Sequence, residues 1–307
     1  MSIKIGIHTG PQDLSMDELL RIWKLGDEAG FHWISVWDHF YQNPLQSREN
    51  PCFEGVAAMA ALAAATKNVR VGCLVFCSSY RPPGLLVKSM VTIDHLSKGR
   101  VELGIGAGWF EEEFREFGYG FPPLGERFEH LEESLQIVRS LLRDPVTSFK
   151  GKYHQLDGAV CSPKPFNPKL RIWIGGRGEK RTPRLAAQYG DGFNIPYPSL
   201  ELFSDRVATM ERYCGKFDRD PAEIERSVNI IFAMSANEAA AASKELGPFE
   251  AALREGALVG APAQAIDRIG EFERAGAQGL NIAFRPPVDW EAFQAFIEEV
   301  LPVFHGS

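Results

Sequence analysis

Short runs rich in β-branched residues alternate with longer segments of helical periodicity, and the alternation repeats eight times along the chain. A strand followed by a helix cannot pair back as a hairpin, so successive strands lie parallel with a helix crossing between them. Eight such units are the number that closes a (β/α)8 TIM barrel. Strands are expected at residues 3–9, 31–37, 70–76, 101–106, 171–175, 191–195, 225–234 and 279–284. Ser15 and Glu18 form a capping box ahead of a helix that runs to Gly30, a suitable C′ residue. Pro82 and Pro83 open a helix that ends near Gly99. Other helices are expected near 54–67, 111–117, 125–143, 179–189, 199–215, 262–275 and 289–303, with a helical stretch between 234 and 262. The competing architecture, a doubly wound open sheet, wants GxGxxG after the first strand, where this chain has Gly10-Pro11-Gln12-Asp13. Residues 145–165, between the fourth and fifth strands, read as a small β-rich insertion over one barrel mouth. With no solenoid-period repeat and no low-complexity linker, residues 1–307 read as one domain.

Composition narrows the function. A formal net charge of −7 argues against nucleic acid or an anionic membrane as the main partner and leaves a small-molecule substrate. No apolar run reaches the length of a membrane span, and residues 1–10 lack the basic and apolar regions of a signal peptide. Five cysteines (Cys52, Cys73, Cys77, Cys161, Cys214) form no CxxC pair and leave one unmatched, so a reduced, cytoplasmic setting is expected. No Cys/His cluster has metal-ligand spacing, so no metal site is expected.

In a barrel of this kind the chemistry lies in the loops after the strands. His39, following the second strand between Asp38 and Phe40, is the leading catalytic candidate, because an imidazole relays protons near neutrality. The alternative is a packed histidine that holds the loop. Asp38 could orient an imidazole or bond to nearby backbone, and His8, ending the first strand, could line the mouth. Gly175-Gly176-Arg177-Gly178-Glu179-Lys180-Arg181 enters a helix, where glycines admit close backbone approach and free N–H groups suit an anion. An ordinary solvated turn is the alternative. Gly104 to Trp109 has the wrong spacing for a dinucleotide loop; its glycines let a flat ring lie against the backbone, with Trp109 as a wall or packing residue. Glu111-Glu112-Glu113 reads as a solvated helix start favoured by the helix dipole.

Taken together, VWDHF at 36–40, the stretch 71–138, IWIGGRGEKRTPRLAAQYGDGFN at 172–194 and the segment 259–282 resemble the luciferase-like oxidoreductases, and within them the group that uses the deazaflavin coenzyme F420. The resemblance covers nearly the whole chain in order. It implies hydride transfer between a deazaflavin and an organic substrate, with His39 exchanging the proton and Asp38 and Trp109 beside it. It also implies a cofactor contacted by His8, His39, Leu74, Val75, Gly106, Ala107, Gly108 and Trp109, its phosphate received by Gly175, Gly176, Arg177 and Lys180. A cis peptide between Leu74 and Val75, bulging toward the cofactor ring, is expected by the same resemblance, as is a homodimer. Members that oxidise sugar phosphates carry a glutamate proton donor where Trp109 stands, which disfavours that substrate class here. The alternatives are a two-component monooxygenase using reduced FMN on the same fold, and a cofactor-binding barrel without turnover.

Overall fold

The computed structural model describes residues 2–44, 46–244, 247 and 253–305. Its strands are β1 (Lys4–Thr9), β2 (Trp33–Val36), β3 (Arg70–Cys77), β4 (Val101–Gly106), β5 (Thr147–Lys150), β6 (Gln155–Ala159), β7 (Arg171–Gly175), β8 (Gly192–Pro196), β9 (Glu225–Met234), β10 (Ala257–Gly260) and β11 (Gly279–Phe284). The order β9-β11-β1-β2-β3-β4-β7-β8 closes on itself through β8 pairing with β9, and every one of these pairs is parallel. This is the expected barrel. The α-helices among the described residues are α1 (Met16–Ala29), α2 (Gly55–Ala65), α3 (Pro83–Ser97), α4 (Glu111–Glu116), α5 (Leu124–Arg143), α6 (Arg181–Tyr189), α7 (Leu200–Lys216), α8 (Glu238–Ser243), α9 (Pro262–Arg274), α10 (Trp290–Ala295) and, after a π-helical turn at Phe296–Val300, α11 (Leu301–Phe304). Among the described residues no helix is long and apolar enough to cross a membrane.

Local chemistry sets the element ends. Ser15 Oγ accepts the amide of Glu18, the Glu18 carboxylate accepts the amide of Ser15, and Gly30 ends α1 in the left-handed region at φ 87°. Leu19, Ile22, Trp23 and Gly26 recur at helical spacing, and that stripe is buried on the barrel.

Two expectations change. Residues 257–260 form a strand beside β9, paired with Ile231–Met234; the run is too short to stand out from the helical stretch around it. Part of that stretch, 245–246 and 248–252, lies outside the described residues. The insertion is an antiparallel hairpin, β5 with β6, but it lies along the flank of α5 and not over a barrel mouth. Glu133 of α5 accepts the amides of Lys152, Tyr153 and His154, and Glu129 takes the Tyr153 hydroxyl.

The strand starts form a charged floor. Arg70 meets Glu102 at 2.5 Å, the Trp173 indole N–H donates to Glu102 at 2.7 Å, and Arg171 meets Glu225 at 2.6 Å. Glu102 is buried, and burial pushes its carboxyl up to about 7 against the pull of Arg70 and Arg171. Higher in the barrel, Asn194 donates to Ser227 and Asn229, and Asn281 donates to Asn229, so buried amides satisfy one another.

Candidate active site

The opposite, C-terminal end gathers His8, His39, the end of β3, the loop after β4 and the loop after β7, as strand ends in a barrel must. His39 Nδ1 lies 2.9 Å from Glu113 Oε2. The same carboxylate accepts the amides of Phe40 (2.8 Å) and Tyr41 (2.9 Å) and the Tyr80 hydroxyl (2.9 Å), and it is fully buried. With donors converging on it, Glu113 acts as an acceptor, so Nδ1 carries the imidazole proton and Nε2 presents a lone pair. The His39 ring is edge-on to Trp109 (5.7 Å) and Phe110 (5.8 Å), and its side chain is 15% exposed.

Glu113 therefore departs from the expected solvated helix start. It faces inward with Phe114 from the first turn of α4, while Glu111 pairs with Arg115 on the outside. The inward phase of Phe110 and Phe114 is the signal that could have separated Glu113 from its two neighbours. Asp38 does not meet the imidazole. Its Oδ2 accepts the amide of Cys77 (3.0 Å) and Arg81 Nη1 (2.7 Å), and its Oδ1 accepts Arg81 Nη2 (2.8 Å). Arg81 also pairs with Glu54. Asp38 thus ties the end of β2 to the end of β3, the backbone-holding alternative.

His8 is buried inside the mouth, with Nδ1 2.9 Å from Ser35 Oγ and its ring 5.0 Å from that of Trp37. Burial, with the positive charge of Arg285 adding to it, lowers its pKa to about 3, so it stays neutral and lends polarity without charge. Arg285 lies over the Trp37 ring and donates to the Asn43 carbonyl and to the Tyr197 hydroxyl.

The Leu74–Val75 peptide is cis, and the β3–β4 register slips between Cys73 and Phe76. Leu74 turns inward to a cluster with Trp33 and Trp173, and partly buried Val75 packs beside it. A Cβ on Gly106 would stand 2.7 Å from Val75 Cγ2, and one on Gly175 would stand 2.5 Å from Val75 Cγ1. These glycines make the hollow that seats Val75. The space they open is filled by the Val75 side chain at the bulge. Gly108 is held at φ 73°, its carbonyl accepting from Arg127, and half-buried Ala107 precedes it.

The loop after β7 leaves Arg177, Gly178, Glu179 and Lys180 exposed. Helix α6 begins at Arg181, two residues later than expected, and no side chain caps its first turn. Those amides are available to an anion. Arg206 donates to the Arg177 carbonyl at 2.9 Å. Beside the loop opens a cleft of about 470 Å³, lined by Lys180, Arg206, Arg212 and Lys216 together with Glu179 and Asp205. Arg206, Arg212 and Lys216 follow one face of α7, a basic stripe that strand-end reasoning does not reach. Among the described residues no cluster of His, Cys, Asp and Glu could hold a metal ion.

The family profile of luciferase-like monooxygenases matches residues 1–253. An F420-dependent glucose-6-phosphate dehydrogenase of Amycolatopsis mediterranei is 27% identical over 231 residues, covering 74% of this chain and 68% of that protein. The fold is shared with an F420-dependent secondary alcohol dehydrogenase solved with an F420–acetone adduct (TM-score 0.85, 20% identity, 99% of each chain). It is shared as well with the coenzyme F420-dependent tetrahydromethanopterin reductase of Methanopyrus kandleri (TM-score 0.82, 18% identity, 99% of this chain and 100% of that one).

Proposed function

This chain belongs to the luciferase-like monooxygenase family, and from that premise we propose that it is a coenzyme F420-dependent oxidoreductase that moves a hydride to or from an organic substrate, with His39 exchanging the accompanying proton. The observation that carries the reading is the His39–Glu113 pair: a fixed tautomer whose Nε2 is free to take or give a proton at an aromatic-lined mouth. Relatives named as F420-dependent dehydrogenases support it. So does the fit of the residues to such a group, an apolar wall at Val75 for a flat ring and an uncapped, basic helix start for an anionic end.

Val75 and the loop 106–109 would hold the ring, and Gly176, Arg177, Lys180 and the first amides of α6 the phosphate. When bound, the deazaflavin supplies a two-electron hydride acceptor or donor. For an alcohol, the carbinol C–H electron pair leaves with the hydride, the hydroxyl proton passes to His39 Nε2, and a carbonyl remains; the reverse direction returns both. Glu113 steadies the imidazolium so formed.

Anaerobic titration of the purified protein with the deazaflavin and with FMN tests the cofactor. The deazaflavin should bind at least ten times more tightly, about 1.4 kcal/mol. Tighter FMN binding with oxygen-dependent product would instead favour the monooxygenase. His39→Ala should lower turnover by roughly 10² to 10⁴ while cofactor affinity holds; normal turnover would make His39 a packing residue. Arg177→Ala should weaken cofactor binding more than it slows turnover at saturating cofactor, since a remote phosphate contact is equal in ground and transition states.

A further inference from the structure

Resting on the reading of His39 as the proton carrier, we propose that Tyr80 is a positioning residue that sets how firmly Glu113 holds the imidazolium. The four donors on this carboxylate divide between its two oxygens. Oε1 takes the amides of Phe40 and Tyr41, and so serves the loop. Oε2 takes His39 Nδ1 and the Tyr80 hydroxyl, each at 2.9 Å. The hydroxyl thus shares one oxygen with the imidazole and draws on the same negative charge. Without it, more of that charge would fall on Nδ1–H and favour the protonated ring. With it, the imidazolium is held less tightly, so His39 can return a proton as well as take one.

The packing around Tyr80 fixes where its hydroxyl points. The residue ends the turn after β3, where its amide donates to the Cys77 carbonyl. Its ring lies among those of Phe40 (4.7 Å), Tyr119 (4.9 Å) and Phe114 (5.0 Å), and the residue is 7% exposed. Burial, reinforced by the Glu113 carboxylate, raises the hydroxyl well above its ordinary 10, so it stays a donor at neutral pH. The other ionisable groups packed around the pair are committed elsewhere or neutral. His8 of β1 is neutral, its pKa about 3. After β2, Asp38 is held by Arg81, and burial pushes the Cys52 thiol up to about 12. Burial pushes Cys77 of β3 up to about 12 as well. On α4, Glu111 pairs with Arg115 and Glu116 with Arg48, and Glu112 faces water. Arg127 of α5 donates to the carbonyls of Gly108 and Pro122, and Arg285, after β11, donates to Asn43 and Tyr197. Among the described residues, Tyr80 is the one side chain besides His39 that bonds to Glu113.

The test reads His39 directly and needs no cofactor. The full chain carrying isotope-labelled histidine is titrated by NMR, with His39→Ala assigning the signal. Tyr80→Phe keeps the ring and its packing and removes only the hydroxyl bond. Its His39 titration midpoint should rise by about half to one pH unit, with Nδ1 still carrying the proton of the neutral ring. Replacing Tyr80 by 3-fluorotyrosine, a stronger donor of nearly the same shape, should move the midpoint the other way. Hydrogen exchange at the amides of Phe40 and Tyr41 should stay as slow in Tyr80→Phe as in the native protein. A Tyr80→Phe midpoint within about 0.2 pH unit of the native one overturns the proposal, as does a shift in the same direction from both variants. A changed tautomer, or faster exchange at those amides, also overturns it and makes Tyr80 a prop for the loop. Should the protein take FMN, or His39→Ala turn over normally, the proposed function fails, and the titration still decides the role of Tyr80.

Discussion

A single buried carboxylate decides which nitrogen of His39 faces the mouth. Glu113 accepts from the imidazole, two backbone amides and a tyrosine hydroxyl. A glutamine there has one acceptor oxygen and two N–H groups, so it cannot serve all four donors. Glu113→Gln should lower kcat at least tenfold with KM and cofactor Kd unchanged, measured by steady-state kinetics and a binding titration. A parallel loss in all three would mean that Glu113 only holds the loop together. His8 carries a different consequence. Its folded pKa of about 3 lies below its ordinary 6.5, so the unfolded chain takes up its proton first as pH falls. The stability this contributes is complete above pH 6.5 and is lost progressively down to about pH 3, with about 2 kcal/mol gone at pH 5. In urea unfolding, His8→Gln should lose about 2 kcal/mol less than the native protein between pH 7.5 and pH 5. An equal loss in both would mean that His8 is already charged in the fold.

Among the elements, the end of β3 depends on glycines contributed by its neighbours. Val75 occupies the space that Cβ atoms would claim on Gly106 of β4 and Gly175 of β7. Gly175→Ala should therefore displace Val75 and weaken cofactor binding about tenfold or more, and Val75→Ala in the same chain should recover part of that loss, because the clash is between those two side chains. Fluorescence titration of the three variants checks this, and a double variant no better than Gly175→Ala alone would refute it. The position of the bulge was legible from the resemblance of 71–138 to related barrels. That the glycines of two other strands exist to seat it was not, since nothing local to Gly106 or Gly175 marks a neighbour on a different strand.

The molecule as a whole separates its floor from its mouth. Lys4, Arg70, Glu102, Arg171 and Glu225 meet where strands begin, and His39, Val75 and Arg177 lie where they end. Conserving the floor serves stability and conserving the mouth serves chemistry. Glu102→Ala leaves the Arg70 guanidinium and the Trp173 indole N–H without their carboxylate and should cost about 3 kcal/mol in chemical denaturation. Cofactor affinity at 25 °C should stay within about twofold, as expected for sites too far apart to share partners. A cofactor affinity that falls with stability would show the two ends to be coupled.

Barrel closure, the capping box of α1, the strand-end addresses of His39 and of the Gly-Gly-Arg loop, and the β-rich insertion could all be read from the chain, because periodicity, caps and turn residues act over a few neighbours. Their partners could not. His39 meets a glutamate 74 residues away, and Asp38, adjacent in sequence, is instead committed to Arg81 and the amide of Cys77. The hairpin β5–β6 has a legible form, and its place along α5 depends on Glu129 and Glu133 reaching it from another element. Side-chain pairing across loops is set by where the closed barrel brings strand ends together. Three neighbouring glutamates identical in the sequence thus become one buried acceptor and two surface charges only once α4 is docked and its rotation fixed by Phe110 and Phe114.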